Sequence, residues 1–312
     1  PSSISLGNSR ADGGYDPTHK YFTKPSYNIA TGGGTLYENK KYLNLALKQN
    51  NLKKVLLVVN YRIFNEGYQT NVNDFETYFN NINKYKYLLS LITLKDSFLT
   101  LIGASVVDTL YNENGQRQHN WGQIHADLTS NGYKGRFDGT SEYYKKFSTN
   151  YIYGDTKRKT FLDFEEMVKL CYENNIELDI IFGPSHIRLW ESIDYYLGYD
   201  KWLKWKKDVV LSVNKIANQQ KKKQFRIMDF SVYHNLTAEK IPTDKSTKMK
   251  YHWEASHYKN DLGLIVLDRL VGDSNFNDFG VELNLQNIDE HLKQQEVNRH
   301  KFIDVENYKK DF

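Results

Sequence analysis

With 312 residues and a formal net charge of only +4, the chain is too weakly basic for charge alone to recruit nucleic acid, and Lys221-Lys222-Lys223 reads as a solvated helix end. A single cysteine, Cys171, excludes an intramolecular disulfide, and no run reaches the roughly 18 apolar residues of a membrane-spanning helix. The length exceeds the about 100 to 200 residues usual for one domain, but α/β folds run longer as one unit, so a single domain over residues 1–312 is expected.

Short apolar segments bounded by turn or polar residues predict strands at 4–7, 27–30, 55–59, 177–182 and 225–230. Amphipathic segments predict helices at 40–50, 161–174 and 201–219. The alternation implies an α/β fold of three layers, a mostly parallel sheet with helices on both faces, whose strand C-termini and their loops gather on one edge. Residues from 65 to about 160 interrupt the pattern with a helix expected at 75–94 and a Gly, Asn and Tyr-rich stretch at 112–154 without a clear period. Such an insert is too long for an idle connection and reads as a lid or a substrate-recruiting subregion. Cys171 falls on the apolar spacing of the helix at 161–174 and reads as a core thiol. The 24 Tyr, 16 Phe and 5 Trp fit either sugar-stacking surfaces or the Asn, Lys and Tyr bias of AT-rich coding, and the compositional reading takes precedence.

The chemistry-bearing residues follow from this frame. The first strand runs into Gly7-Asn8-Ser9-Arg10, which places one hydroxyl at a strand's C-terminal end, where open α/β sheets keep their reacting groups. A serine hydroxyl is a poor nucleophile without an adjacent base, and the base needs an orienting partner. Glu254 and His257, three residues apart near the C-terminus, can supply both from one short turn. The second strand ends in Gly32-Gly33-Gly34, where backbone N–H groups can approach a developing anion. The third ends in Asn60, an amide donor at the same edge. Arg10, directly after the serine, either holds the loop or meets an anionic substrate. His186 and Arg188, after the strand at 177–182, either bind substrate polar groups or stabilise the loop and the next helix.

Metal and cofactor readings fail on spacing. His252 and His257 are five apart, unlike the i, i+4 pair of a metalloprotease helix, and one cysteine excludes the zinc-deaminase pattern. The triple glycine has neither dinucleotide nor P-loop spacing, so no cofactor is expected.

Serine after the first strand, glycine after the second, asparagine after the third and an acid-x-x-His near the end resemble the four blocks of the SGNH (GDSL-like) hydrolase superfamily. The resemblance extends to membrane-anchored bacterial SGNH-like proteins of surface-polysaccharide O-acylation. It is carried by Gly7-x-Ser9-Arg10, Asn28-x-Ala30-x-x-Gly33 with Tyr37-Glu38, Pro184-Ser185-His186-Ile187-Arg188, Trp253-Glu254-x-Ser256-His257-Tyr258 with Gly263, and Phe279-Gly280-Val281. It departs at Glu254, where the superfamily usually has Asp, and at Val58, where it usually has Gly. The resemblance implies a flavodoxin-like SGNH fold and a serine esterase or O-acyltransferase acting on acyl, chiefly acetyl, esters of a cell-surface glycan. Ser9, His257 and Glu254 would form the triad, and Ser9, Gly33 and Asn60 the oxyanion hole. It also implies a periplasmic or cell-envelope setting, an N-terminal membrane anchor absent from this chain, and a membrane acyl-donor protein as partner. The alternative is a catalytically idle glycan-binding or assembly subunit on the same fold.

Overall fold

The computed structural model describes residues 1–65, 75–79, 91–101, 111–118, 132–305 and 307–308. Runs of Val, Ile and Leu form strands β1 (Ser3–Leu6), β3 (Lys54–Val59) and β4 (Glu177–Phe182), which with β2 (Ser26–Asn28), β5 (Arg226–Asp229) and β6 (Val281–Glu282) make one sheet. The strand order is β2-β1-β3-β4-β5-β6. The first five strands are parallel, and β6 pairs antiparallel with β5 at the edge. This is the 2-1-3-4-5 order of doubly wound flavodoxin-like sheets with one added strand, a three-layer α/β fold as expected from the alternation of elements.

Parallel strands need apolar side chains on both faces, because helices cover both. Val55, Leu57 and Val59 pack on one side with Leu36 and Leu43 of α2 (Leu36–Leu47), and Leu56 and Val58 pack on the other with Ala11 of α1 (Ser9–Gly14). The short helices α3 (Tyr61–Asn65) and α4 (Phe75–Phe79) and the longer α5 (Leu91–Leu101) follow β3. Next come α6 (Gly132–Tyr143), a 3₁₀ turn at Tyr144–Lys146, and α7 (Thr160–Glu173) before β4. Two helices, α8 (Ile187–Leu197) and α9 (Tyr199–Gln219), join β4 to β5; α10 (Asn260–Val271) precedes β6, and α11 (Ile288–Phe302) ends the fold.

All five predicted strands exist, shifted by at most two residues at either end, and the helices expected at 161–174 and 201–219 are α7 and α9. The helix expected at 40–50 instead starts at Leu36, because Thr35 and Glu38 form a capping box that begins it one turn earlier. Of the helix expected at 75–94, the structure describes α4 and the first residues of α5, and residues 80–90 lie outside the described residues. The stretch at 112–154 holds α6, which carries Gly132, Gly135 and Gly139 and therefore has weak intrinsic propensity. Burial of Tyr133, Phe137 and Ser141 supplies what propensity does not, which is why no period marked it. Cys171 is fully buried, and burial pushes its thiol up to about 12.

At the C-terminal end of β5, Asp229 is wholly buried and binds Lys206 Nζ at 2.7 Å, His291 Nε2 at 2.8 Å and the Ser231 hydroxyl at 2.7 Å. Burial alone would raise its pKa, but the Lys206 and His291 charges hold it down to about 2. Lys206 is equally buried, so removing its counter-charge strands a cation in the core. Asp229→Ala is expected to lower the unfolding free energy by about 3 to 5 kcal/mol, read as a fall in the urea midpoint. An unchanged midpoint would mean that Lys206 finds another partner.

Candidate active site

Ser9 is the first residue of α1, reached by a tight turn from β1. Gly7 permits that turn: a Cβ there would lie 2.8 Å from Ala11 Cβ and 3.1 Å from the Val58 carbonyl oxygen. Asn39 of α2 anchors the turn by accepting the Gly7 N–H at 2.8 Å, and the Asn8 side chain caps α1 by accepting from the Arg10 N–H at 3.2 Å. The Asn8 carbonyl accepts from the Ala11 N–H at 2.8 Å and the Asp12 N–H at 3.2 Å, closing the first turn of α1.

The partly exposed Ser9 Oγ lies 2.7 Å from Nε2 of His257, a residue 248 positions away in the chain. On the other side of the ring, Nδ1 of His257 hydrogen-bonds Oε1 of Glu254. The local fold of the 251–259 loop explains this pairing. Lys259 N–H donates to the Tyr251 carbonyl at 2.7 Å and Trp253 N–H to the His257 carbonyl at 2.9 Å, closing a narrow loop around the acid. The Glu254 carboxylate accepts from the Ser256 N–H at 2.8 Å, the Ser256 hydroxyl at 2.9 Å and the His257 N–H at 2.8 Å. The longer arm of Glu thus folds back over its own loop.

Electrostatics poise the pair. Burial opposes ionisation of Glu254, but the His257 charge and the hydrogen bonds outweigh it and hold the carboxyl well below the usual carboxylate range. His257 moves down from its ordinary value because burial disfavours its cation and the Arg10 and Arg62 charges add to that, against the pull of Glu254. At neutral pH the chain therefore presents a neutral imidazole to the Ser9 hydroxyl and a carboxylate to the imidazole N–H. That arrangement is able to take a proton from Ser9 and steady the resulting imidazolium.

Asn60 stands beside the nucleophile turn, its Nδ2 donating to Asn8 Oδ1 at 3.2 Å and its Oδ1 accepting from the Ile63 N–H at 3.2 Å. A primary amide carries two N–H donors, and this contact with Asn8 uses one. Gly33 sits in the turn between β2 and α2 with φ +73°, a left-handed conformation that favours glycine. The adjacent Gly34 packs against the nucleophile turn, since a Cβ on it would come within 3.1 Å of the Gly7 carbonyl oxygen.

Three residues that the sequence leaves open between meeting substrate and supporting the fold make contacts within the protein. Arg10 is only 2 % exposed; its Nε donates to the Ser256 carbonyl at 2.9 Å and its Nη2 to the Tyr144 hydroxyl at 2.9 Å. It pins α1 to the His257 loop, and so positions the two halves of the triad. His186 is buried, caps α8 by accepting the Arg188 N–H at 3.1 Å, and bonds the Glu239 carbonyl through Nε2 at 2.7 Å. Burial and the neighbouring His252 push its pKa down to about 3, so it stays neutral. Arg188 reaches α6, with Nη2 3.5 Å from Asp138 and Nε donating to the Ser141 hydroxyl at 3.4 Å. The contacts of all three residues are those of loop and helix stabilisers.

The groups that do face the triad come from unexpected places. A cleft of about 340 Å³ over His257 and Glu254 is walled by Arg62 of α3, by Arg136, Thr140 and Tyr143 of α6, and by Tyr144. Thr140 shares this cleft with Glu254, and its hydroxyl donates to the Arg136 carbonyl at 2.9 Å. Residues 111–118 of the insert lie against β2, α1 and the glycine turn: Asn28 N–H donates to the Asn114 carbonyl at 2.9 Å, Arg117 Nη1 lies 3.5 Å from Asp12, and a Cβ on Gly32 would lie 3.6 Å from Arg117 Nη1. Arg62, two residues past Asn60, had a signal in its place after a strand end. Arg136 had none, because α6 has no clear period.

No protein-family model matches the chain, and no curated protein matches it. Among the described residues no group of three or more His, Cys, Asp or Glu could hold a metal ion, and no helix is long and apolar enough to cross a membrane.

Proposed function

We propose that the chain is an SGNH-type serine esterase or O-acyltransferase that acts on acyl esters, chiefly acetyl, of a bacterial cell-surface glycan. The observation that carries the reading is the unbroken hydrogen-bond chain from Ser9 Oγ through His257 to a buried, ionised Glu254 at the C-terminal edge of the sheet. The resemblance of the sequence blocks supplies the glycan, the cell-envelope setting and the membrane acyl donor.

In the proposed cycle Ser9 Oγ attacks the ester carbonyl carbon while His257 Nε2 takes its proton. The Ser9 N–H, the Gly33 N–H and Asn60 Nδ2 hold the carbonyl oxygen as it becomes an anion. The C–O bond to the leaving alcohol breaks, His257 returns the proton to that alcohol, and an acyl-Ser9 ester remains. Water, or a sugar hydroxyl deprotonated by His257, attacks the acyl carbon and releases Ser9. Water gives an esterase and a sugar hydroxyl an acyltransferase.

A fluorophosphonate tests the reading directly, because only an activated serine is phosphonylated quickly. Wild-type protein is expected to take up one label, mapped by mass spectrometry to the peptide containing Ser9, and to release acetate from an acetylated oligosaccharide. Absence of labelling together with absence of acetate release would leave the idle glycan-binding reading in its place.

A further inference from the structure

We propose that a small cavity among buried side chains at the C-terminal ends of β3 and β4 binds one monovalent anion of halide size, chloride in solution, held by Arg10, Tyr61 and Trp205. The site makes no use of the Ser9 hydroxyl and does not depend on the esterase reading.

Arg10 carries a full positive charge into the core: it is 2 % exposed, and among the described residues it pairs with no carboxylate. Its Nε is taken by the Ser256 carbonyl and its Nη2 by the Tyr144 hydroxyl, which leaves the buried Nη1 without a partner among the described residues. A cation buried without a counter-charge is among the costliest arrangements in a protein interior, so an anion that reaches it is bound strongly. Two more buried donors are in the same state, the Tyr61 hydroxyl and Trp205 Nε1. Burial raises the pKa of the Tyr61 phenol, so its hydroxyl keeps its proton. All three residues line one cavity of about 20 Å³, and the Tyr61 and Trp205 rings meet edge to face with centroids 5.8 Å apart. That volume admits one water-sized particle and excludes a phosphate, a sulfate or a carboxylate. A water bonded to these groups leaves the guanidinium charge uncompensated, whereas a halide takes N–H and O–H donors and supplies the charge. Asn60, Ser185 and Ser231, also on the wall, are hydrogen-bonded within the protein. The nearby Asp229 charge is balanced by Lys206 at 2.7 Å. Phe182, Leu189 and Ile193 add apolar wall, and a low local dielectric strengthens the attraction between Arg10 and an anion. The bound anion would tie Arg10, and through it α1 and the His257 loop, to Tyr61 of α3 and Trp205 of α9.

Bromide is the probe, because it replaces chloride and scatters anomalously where water does not. Crystals of the wild-type protein soaked in sodium bromide, with data collected at the bromine edge, are expected to show an anomalous peak between Arg10 Nη1, the Tyr61 hydroxyl and Trp205 Nε1. Density there without an anomalous signal identifies a water and overturns the inference, as does a cavity with no density. In solution, thermal midpoints are compared in sodium chloride and in sodium gluconate, whose anion is too large for the cavity, at one ionic strength so that screening is equal. Replacing gluconate by chloride up to about 0.5 M is expected to raise the wild-type midpoint by about 2 to 4 °C, since a ligand that binds only the folded chain stabilises it. Equal midpoints in the two salts overturn the inference without any variant. Tyr61→Phe removes one donor and keeps the ring, so the rise should fall to less than about half. A full rise in Tyr61→Phe would put the chloride effect elsewhere on the chain and remove this cavity as its site. Fluorophosphonate labelling of Ser9 is a separate readout, so the esterase reading stands or falls independently of these results.

Discussion

Ser9→Ala is expected to lower ester turnover by about 10⁴-fold or more and to abolish fluorophosphonate labelling, with the thermal midpoint little changed. The size follows from the chemistry: without Oγ no acyl-enzyme forms, and the remaining oxyanion donors act only on direct attack by water. The small effect on stability follows from position. Ser9 is partly exposed, its hydroxyl bonds the His257 ring and, among the described residues, no other group, and the cap of α1 belongs to Asn8. Hydrolysis of 4-nitrophenyl acetate, active-site labelling and circular dichroism on the same preparation check the three parts. An alanine variant that hydrolyses the ester at the wild-type rate would remove Ser9 as nucleophile.

Glu254→Gln is expected to cost up to about 10⁴-fold in kcat, the loss seen when a triad acid is amidated and the histidine is held in the wrong tautomer. The pH profile gives the sign independently of the size. The base must be neutral, so activity rises with pH through the His257 ionisation, and in wild type that midpoint lies below the ordinary histidine value of 6.5 because burial and the two arginines lower it. Glu254 is the group that opposes this lowering, so removing its charge should move the midpoint still further down. Removing Arg62 should move it up, since Arg62 lowers it. Opposite displacements in the two variants are a signature that general loss of structure does not produce. Glu254→Asp should retain more activity than Glu254→Gln, although the shorter arm gives up some of the bonds to Ser256 and His257 that wrap the present carboxylate. A Glu254→Gln enzyme with the wild-type plateau and midpoint would reduce the working unit to Ser9 and His257.

The effect of Arg10 differs in kind from these. Its bonds run to the Ser256 carbonyl and the Tyr144 hydroxyl, so it acts through the placement of the His257 loop. Arg188 ties α8 to α6, and His186 ties the start of α8 to the Glu239 carbonyl.

What the sequence by itself determined is the part set by local preference and local spacing. Continuous Val, Ile and Leu runs such as 55–59 can satisfy both faces of a buried parallel strand and little else, so the sheet was legible, and with it the edge where Ser9 and Asn60 stand. Glu254 and His257 lie three residues apart, so one turn suffices to bring acid and imidazole together. Only the tertiary structure decided the rest. Ser9 and His257 meet because the C-terminal loop packs back against the start of the chain, with Gly263 of α10 so close to α1 that a Cβ there would sit 1.7 Å from the Gly14 carbonyl oxygen. Whether a polar side chain after a strand faces the cleft or caps a helix depends on which distant element fills the space beside it, and spacing carries no record of that. Hence Arg10 and His186 turned inward, while Arg136, on a glycine-bearing helix held by the burial of Tyr133 and Phe137, came to wall the site.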